Sequence, residues 1–374
     1  MKFQVDRDLM ADAVSWASRT LPSKSTQPLL TGLHIVASTD GLTLSGSDAD
    51  VSARAHVDAT VIETGTVLVP GRLLADITKS LPSSSTIDIA VEGSRAKITC
   101  GRSSFTIPTM PVAEYPPLPT MPDASGTVSG SVLANAVSQV VIAASRDETL
   151  PAFTGIKVDV DGSTITLAAT DRYRLAVREL QWSPASPSLE THALVPAKFL
   201  SESAKSLATG EQVTLALTGN ESLVGIEGQG RQTTSRMLAA DFPKYRTLLP
   251  TESTSIAQIN THALIDAVKR VALVLEREIP VRVQFTKNEA IVRGGGSTGE
   301  LAEAEAFVEC ALTGDDITIA FNHQYLLDGL SAIDASTAVI SMTTAIRPAV
   351  ITGAEDVDAT PDDTFKYLLM PIRQ

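Results

Sequence analysis

The chain has little of what most enzymes and secreted proteins display. It holds two cysteines in 374 residues, Cys100 and Cys310, far apart in the sequence. Two distant thiols make neither a disulfide framework nor a metal site, and both read as buried apolar side chains in a reducing cytoplasm. The five histidines, at positions 34, 56, 192, 262 and 323, have no ligand spacing, so neither a metal nor another cofactor is indicated. No apolar run approaches the ~20 residues that span a bilayer. The opening Met1-Lys2-Phe3-Gln4-Val5 passes straight into Asp6-Arg7-Asp8, so no signal peptide is expected. Basic charge is in deficit, with 30 Lys and Arg against 43 Asp and Glu and a net charge of −13, which on its face argues against nucleic acid. There is no Gly-x-Ser-x-Gly, no His-Glu-x-x-His and no Cys/His cluster. Gly294-Gly295-Gly296-Ser297-Thr298-Gly299 lacks the Gly-Lys-Ser/Thr ending of a phosphate loop and reads as a hairpin loop. The sequence offers no active site.

What the sequence does have is repetition. Val69-Pro70-Gly71-Arg72-Leu73-Leu74 returns 126 residues later as Val195-Pro196-Ala197-Lys198-Phe199-Leu200, and 126 residues after that, more weakly, as Phe321-Asn322-His323-Gln324-Tyr325-Leu326. Ala13-Val14 recurs as Ala136-Val137 and Ala267-Val268. Copies of about 125 residues are too long for solenoid units, so each should hold its own core. The repeats divide as 1–122, 123–250 and 251–374, with a proline-rich stretch from Pro108 to Pro122 at the first boundary and Phe242 to Ser253 at the second.

Repeat 1 predicts a strand at Phe3–Val5 and a helix carrying Leu9, Ala13, Val14 and Ala17. Strands follow at Leu30–Ala37, Leu42–Gly46 and Val51–Val57. The pattern then repeats: a strand at Thr66–Val69, a helix over Gly71–Leu81 with Leu73, Leu74, Ile77 and Leu81, and strands at Ile87–Val91, Ala96–Cys100 and Ser104–Ile107. Each repeat is therefore β-α-β-β-β twice, and the chain should hold six helices and about 24 strands in an α+β fold of curved antiparallel sheets with helices on one face.

Charge is unevenly spread. Repeats 1 and 2 each carry a net −2, and repeat 3 carries −9, concentrated in Glu300–Glu309 and Glu355–Asp363. In the helix after Pro70, Arg72 and Lys79 stand seven residues apart on one face; 126 residues on stand Lys198 and Lys205. Repeat 3 has Gln324 and Ser331 there instead. These basic pairs are either ordinary solvated residues or a surface for a phosphate backbone, read without regard to sequence. In Ala169-Thr170-Asp171-Arg172-Tyr173-Arg174-Leu175, Asp171 has its counterpart in Asp48, 123 residues earlier, which favours a turn-capping role. An enzyme using Asp171 and Arg174 is the competing reading, and no base, nucleophile or metal cluster accompanies them.

Met1-Lys2-Phe3, Val69-Pro70, Gly101-Arg102-Ser103-Ser104-Phe105, Ala169-Thr170-Asp171-x-x-Arg174-Leu175-Ala176, Phe242-Pro243-x-Tyr245-Arg246, Phe321-Asn322 and Tyr367-Leu368-Leu369-Met370-Pro371-Ile372-Arg373 together resemble the β subunit of bacterial DNA polymerase III, the replicative sliding clamp, over the whole chain. The resemblance implies three tandem copies of the DNA-clamp domain and a head-to-tail homodimer closed into a ring, with helices lining the hole. It implies a non-catalytic processivity factor on double-stranded DNA, loaded by an ATP-driven clamp loader. Short linear motifs would bring it the polymerase III catalytic subunit, other DNA polymerases and repair proteins. By position, the DNA-facing residues would be Lys24, Arg72, Lys79, Arg146, Lys198 and Lys205. The partner-peptide groove would use Phe153, Thr170, Arg172, Tyr173, Arg174, Leu175, Pro243, Thr247, Leu248, Pro348, Met370, Pro371, Ile372 and Arg373. The dimer contact would pair Phe105 with Leu273. Familiar members often have a small residue and histidine where this chain has Arg172 and Tyr173, and some have arginine in place of Thr247. A clamp-like paralogue that binds peptides as a scaffold would share nearly all these motifs.

Overall fold

A computed structural model describes residues 1–22, 27–217, 222–276, 279–295, 302–357 and 359–373. Among them are six α-helices and 26 strands. The chain divides into two compact units. The first is Met1–Gly130 with Ser183–Ser186 and Ser206–Met237; the second is Ser131–Trp182, Pro187–Lys205 and Leu238–Gln374.

The helices form where the sequence predicts them, and local chemistry sets their starts. In α1 (Arg7–Ala17), the Asp6 carboxylate accepts from the amides of Asp8 and Leu9, satisfying two N–H groups that have no partner within the helix. Met10, Ala13, Val14, Trp16 and Ala17 are buried. Leu9, expected in the same stripe, is 51% exposed and lies on the open face. In α2 (Gly71–Ser80), Leu74 and Ile77 point inward, as does Leu81 just beyond the helix, while Leu73 is exposed. The helices α3 (Gly130–Val141) and α4 (Ala197–Ser206) belong to repeat 2. In repeat 3, Asn260 caps α5 (Thr261–Ala272) through the Ala263 amide, and Asn322 caps α6 (His323–Ser331) through the Tyr325 amide. α1 packs on α2, and α5 on α6.

The strands of repeat 1 match expectation within about two residues, with two differences. Pro28–Thr31 forms a 3₁₀ turn before the strand Gly32–Ser38. A strand at Thr60–Glu63, not expected, pairs with Lys2–Gln4. Its four residues are largely exposed, so the alternation that marks a half-buried strand never develops.

Sheet order shows how the repeats join. In the first unit, a nine-stranded sheet places Arg231–Arg236, from repeat 2, beside Val51–Val57, from repeat 1. This antiparallel seam is reinforced by the Ser52 and Thr234 hydroxyls 2.7 Å apart and by Thr233 Oγ1 donating to the Ser52 carbonyl at 2.9 Å. A five-stranded sheet ends in Ser103–Pro108, which has a neighbour on one side only. In the second unit, a twelve-stranded sheet joins Arg174–Gln181 of repeat 2 to the last strand, Phe365–Leu369. In the same sheet, Ala304–Glu309 pairs with Glu289–Gly294 on one edge only. Each seam has the same form: the third strand after the first helix of one repeat meets the third strand after the second helix of another.

Candidate partner cleft and basic helix faces

The site is built on the hairpin between Thr164–Thr170 and Arg174–Gln181. Asp171 Oδ1 accepts the amides of Tyr173 and Arg174 at 3.0 and 3.1 Å. Asp48 does the same in repeat 1, accepting the amides of Asp50 and Val51 at 2.8 and 2.7 Å. Both are Asx turns, so the turn-capping role holds and the carboxylate serves the backbone. Thr170, buried, donates its hydroxyl to the Arg174 carbonyl at 2.6 Å and accepts the Arg172 amide at 3.2 Å. Arg172 has φ of +80°, a left-handed conformation that a side chain bearing Cβ adopts at a cost. A glycine at this position would avoid that cost.

Arg174 is 9% exposed and is held from every side. Its Nε donates to Asp171 Oδ2 at 3.0 Å and its Nη1 to Asp328 Oδ2 at 2.6 Å. The guanidinium lies 4.2 Å from the centre of the Tyr325 ring, close enough for a cation–π contact. Burial works against its charge, but Tyr367, Asp328 and Asp171 outweigh burial and raise its pKa above the ordinary arginine value. The Tyr367 hydroxyl donates to the Tyr325 carbonyl at 2.8 Å, and its ring lies where a Cβ on Gly329 would be, so glycine is required there. Burial pushes the Tyr367 hydroxyl above its usual range, opposed by Arg174 and aided by Asp328 and Asp171.

A cleft of about 1100 Å³ opens beside this network. Of the residues expected in the groove, Phe153, Arg172, Tyr173 and Arg174 line it. Arg146 and Lys198, expected to face DNA, line the same cleft. Tyr325 and Asp328 were missed. Tyr325 lies tilted against Tyr173 with ring centres 6.4 Å apart. It occupies the repeat position of Leu73 and Phe199, so its apolar alignment was visible while its place in the cleft was not. Leu175 does not reach the surface: it packs with Ala168, Val177, Tyr245 and Leu368 beneath it. Pro243 and Thr247 flank the buried Tyr245, whose hydroxyl donates to Asp159 at 2.8 Å, and Leu248 stands 49% exposed beside them. Neither they nor Pro348 line the cleft itself. The final strand ends at Leu369, and the Met370 amide donates to the Tyr173 carbonyl at 2.9 Å. The Ile372 amide then donates to the Ala320 carbonyl at 2.8 Å. These bonds lay Met370 and Ile372 along the surface, each more than a third exposed, with Pro371 and Arg373.

On the helices, Arg72 and Lys79 are exposed on α2, and Lys198 and Lys205 on α4. The exposed faces also carry Asp76 and Glu202, at the same 126-residue offset, so each face is only weakly positive. Lys24 lies outside the described residues. Phe105 is half-buried on the edge strand Ser103–Pro108, and Leu273, at the end of α5, is 86% exposed. Cys100 and Cys310 are both free and buried, and burial pushes the Cys310 thiol up to about 11. Among the described residues no group of His, Cys, Asp and Glu could hold a metal ion, and no helix is long and apolar enough to cross a membrane.

Three family models match in series: the N-terminal domain of the DNA polymerase III beta subunit over residues 1–119, the central domain over 127–244 and the C-terminal domain over 246–373. A beta sliding clamp of Streptomyces coelicolor is 52% identical over 376 residues, covering 100% of this chain and 99% of that protein. A beta sliding clamp homolog, GriR, of Streptomyces muensis is 43% identical, covering 100% and 99%. Among solved structures, the Pseudomonas aeruginosa sliding clamp bound to griselimycin aligns with a TM-score of 0.92 at 26% identity, covering 100% of both chains. The Bacillus subtilis clamp aligns at 0.91 and 27%, covering 100% of this chain and 99% of the other. With all three domain models matched in order, the chain belongs to the family of the DNA polymerase III beta subunit, the bacterial beta sliding clamps.

Proposed function

We propose that two copies of this chain close head to tail into a ring around duplex DNA and tether polymerases and repair proteins to it, with no catalysis of their own. The observation that carries this reading is the full-length family match. Two free sheet edges support it physically. Ser103–Pro108 and Ala304–Glu309 are a third strand after a second helix and a third strand after a first helix, the combination that forms both seams within the chain. A second copy can therefore pair each edge by the same rule, and unpaired edges are otherwise an aggregation hazard. Arg95, Lys97 and Arg102 flank one edge, and Glu303 and Glu309 flank the other, which favours unlike edges over like. Phe105 would meet Leu273 at that contact, removing an 86% exposed leucine from water.

A closed ring needs no strong DNA contact. Topology retains the DNA, and the weakly positive faces of α2 and α4 make few, salt-sensitive phosphate contacts that allow sliding. Partners bound in the cleft gain effective concentration at the template. Tyr173, Tyr325, Met370 and Ile372 would supply apolar anchorage for a linear motif. The test is loading onto a nicked circular DNA by the cognate loader with ATP, followed by linearisation. Retention on the circle and rapid loss from ends is the expected result. Equal loss from both, or no loading, would point to a peptide-binding paralogue.

A further inference from the structure

The charges that line the partner cleft are not matched one to one. Arg174 takes two of the acids, Asp171 and Asp328, into its ion pairs. Asp147 accepts the amide and the hydroxyl of Thr149 at 3.0 and 2.6 Å. The other lining charges are Glu148 and three cations, Arg146, Arg172 and Lys198, none of which forms an ion pair among the described residues. Two observations single out Arg172 among the three. Its backbone is strained, with φ of +80°, and the turn holds it there: its amide donates to Thr170 Oγ1 at 3.2 Å, and Asp171 Oδ1 accepts the next two amides. Strain kept at an exposed position points to a use for the side chain, since glycine would adopt the same turn without it. Second, its guanidinium lies 5.9 Å from the centre of the Phe153 ring, within cation–π range. An arginine that rests by its face on a ring keeps its in-plane N–H groups for a planar acceptor, and a carboxylate matches them in pairs. Phe153, Tyr173 and Tyr325 supply an aromatic wall in the same cleft, with Tyr173 56% exposed. A ligand that satisfies both features carries a carboxylate close to an apolar group.

We infer that Arg172 is a specificity residue of the cleft, selecting partner peptides in which an aspartate or glutamate flanks the apolar anchor. This rests on the reading of the cleft as a peptide site and names the chemistry that the site prefers. A duplex phosphate backbone would suit the same N–H donors but offers no apolar group to the aromatic wall, which favours the peptide.

The test is fluorescence anisotropy on the full chain with a polymerase-derived motif peptide, synthesised with Asp, Asn or Lys at each position flanking its apolar anchors. At one position at least, the Asp peptide should bind wild type about fivefold more tightly than the Asn peptide at low salt. In Arg172→Gln that ratio should fall to near one. Arg172→Glu should prefer the Lys peptide to the Asp peptide, an exchange that a merely structural arginine would not produce. Should neither variant fold, the wild-type ratio still decides. A ratio near one at every position in wild type, or an unchanged ratio in Arg172→Gln, would overturn the inference and leave the peptide site standing. Failure of every peptide to bind would remove the peptide site, and the inference with it. Faster loss of Arg172→Gln from circular DNA with an unchanged peptide ratio would assign the arginine to phosphate and overturn the inference as well.

Discussion

Arg174→Ala tests the central structural claim, that this arginine ties the Asp171 turn to α6. The side chain is nearly buried and bridges two carboxylates that lie 157 residues apart in the sequence, at 3.0 and 2.6 Å. Removing one partner of a buried ion pair costs about 3–5 kcal/mol, because the remaining charges keep their burial and lose their compensation. The Asp328 side chain keeps 27% exposure and Asp171 12%, so water relieves part of that penalty. The lost contact with the Tyr325 face adds roughly 0.5–2 kcal/mol. The net expectation is about 3 kcal/mol, at the low end of the buried-pair range. For a unit of this size that corresponds to a fall of about 6–12 °C in its unfolding midpoint. Calorimetric unfolding measures it, and a double-mutant cycle with Asp328→Asn isolates the pair, with a coupling of about 1–2 kcal/mol expected. Arg174→Met, which keeps the stem and loses the charge, should cost nearly as much as alanine. A cost below about 1 kcal/mol with no coupling would show that the arginine acts as a surface group and would refute the reasoning.

Changing Lys198 and Lys205 together to Glu should shorten retention on DNA without altering unfolding, and the loss should grow at low salt, where phosphate contacts count most; an unchanged sliding lifetime would remove α4 from the DNA-facing surface. Deleting Met370 to Gln374 should abolish binding of a polymerase-derived peptide, measured by fluorescence anisotropy, while sedimentation still reports the dimer; unchanged affinity would place the groove elsewhere. Asp362 is partly buried, which pushes its pKa up, but hydrogen bonds from Thr364 and the pairing with Arg178 outweigh burial and hold it below the ordinary 3.8. A depressed folded pKa adds stability that is complete above the unfolded value and is lost as pH falls through the folded one. Asp362→Asn should therefore flatten the acid limb of unfolding free energy below about pH 4, and an unchanged limb would show that the pair contributes nothing.

Much of this protein was legible in one dimension. The 126-residue offset, the positions of the helices and most strand bounds follow from periodicity, because amphipathic spacing reports which face of a segment meets its own sheet. Asp48 and Asp171 were legible for the same reason: an Asx turn is closed by amides two and three residues on, within reach of local sequence. The failures mark where local spacing stops being informative. Leu9 and Leu73 satisfy helical periodicity yet lie exposed, because which apolar residue is covered depends on what packs beside the helix. Arg174 lines the cleft, but its pairing with Asp328, 154 positions away, left no trace in the local pattern. Tyr325 could be aligned with Leu73 and Phe199, but only the packing of Tyr367 against Gly329 sets its ring beside Tyr173. By itself, the sequence determined the threefold repetition, the elements and their caps, all set by hydrogen bonds and burial within short segments. The tertiary structure alone decided which strands of different repeats share a sheet, which charges are neutralised and where the cleft opens, since those depend on contacts between residues that no local pattern links.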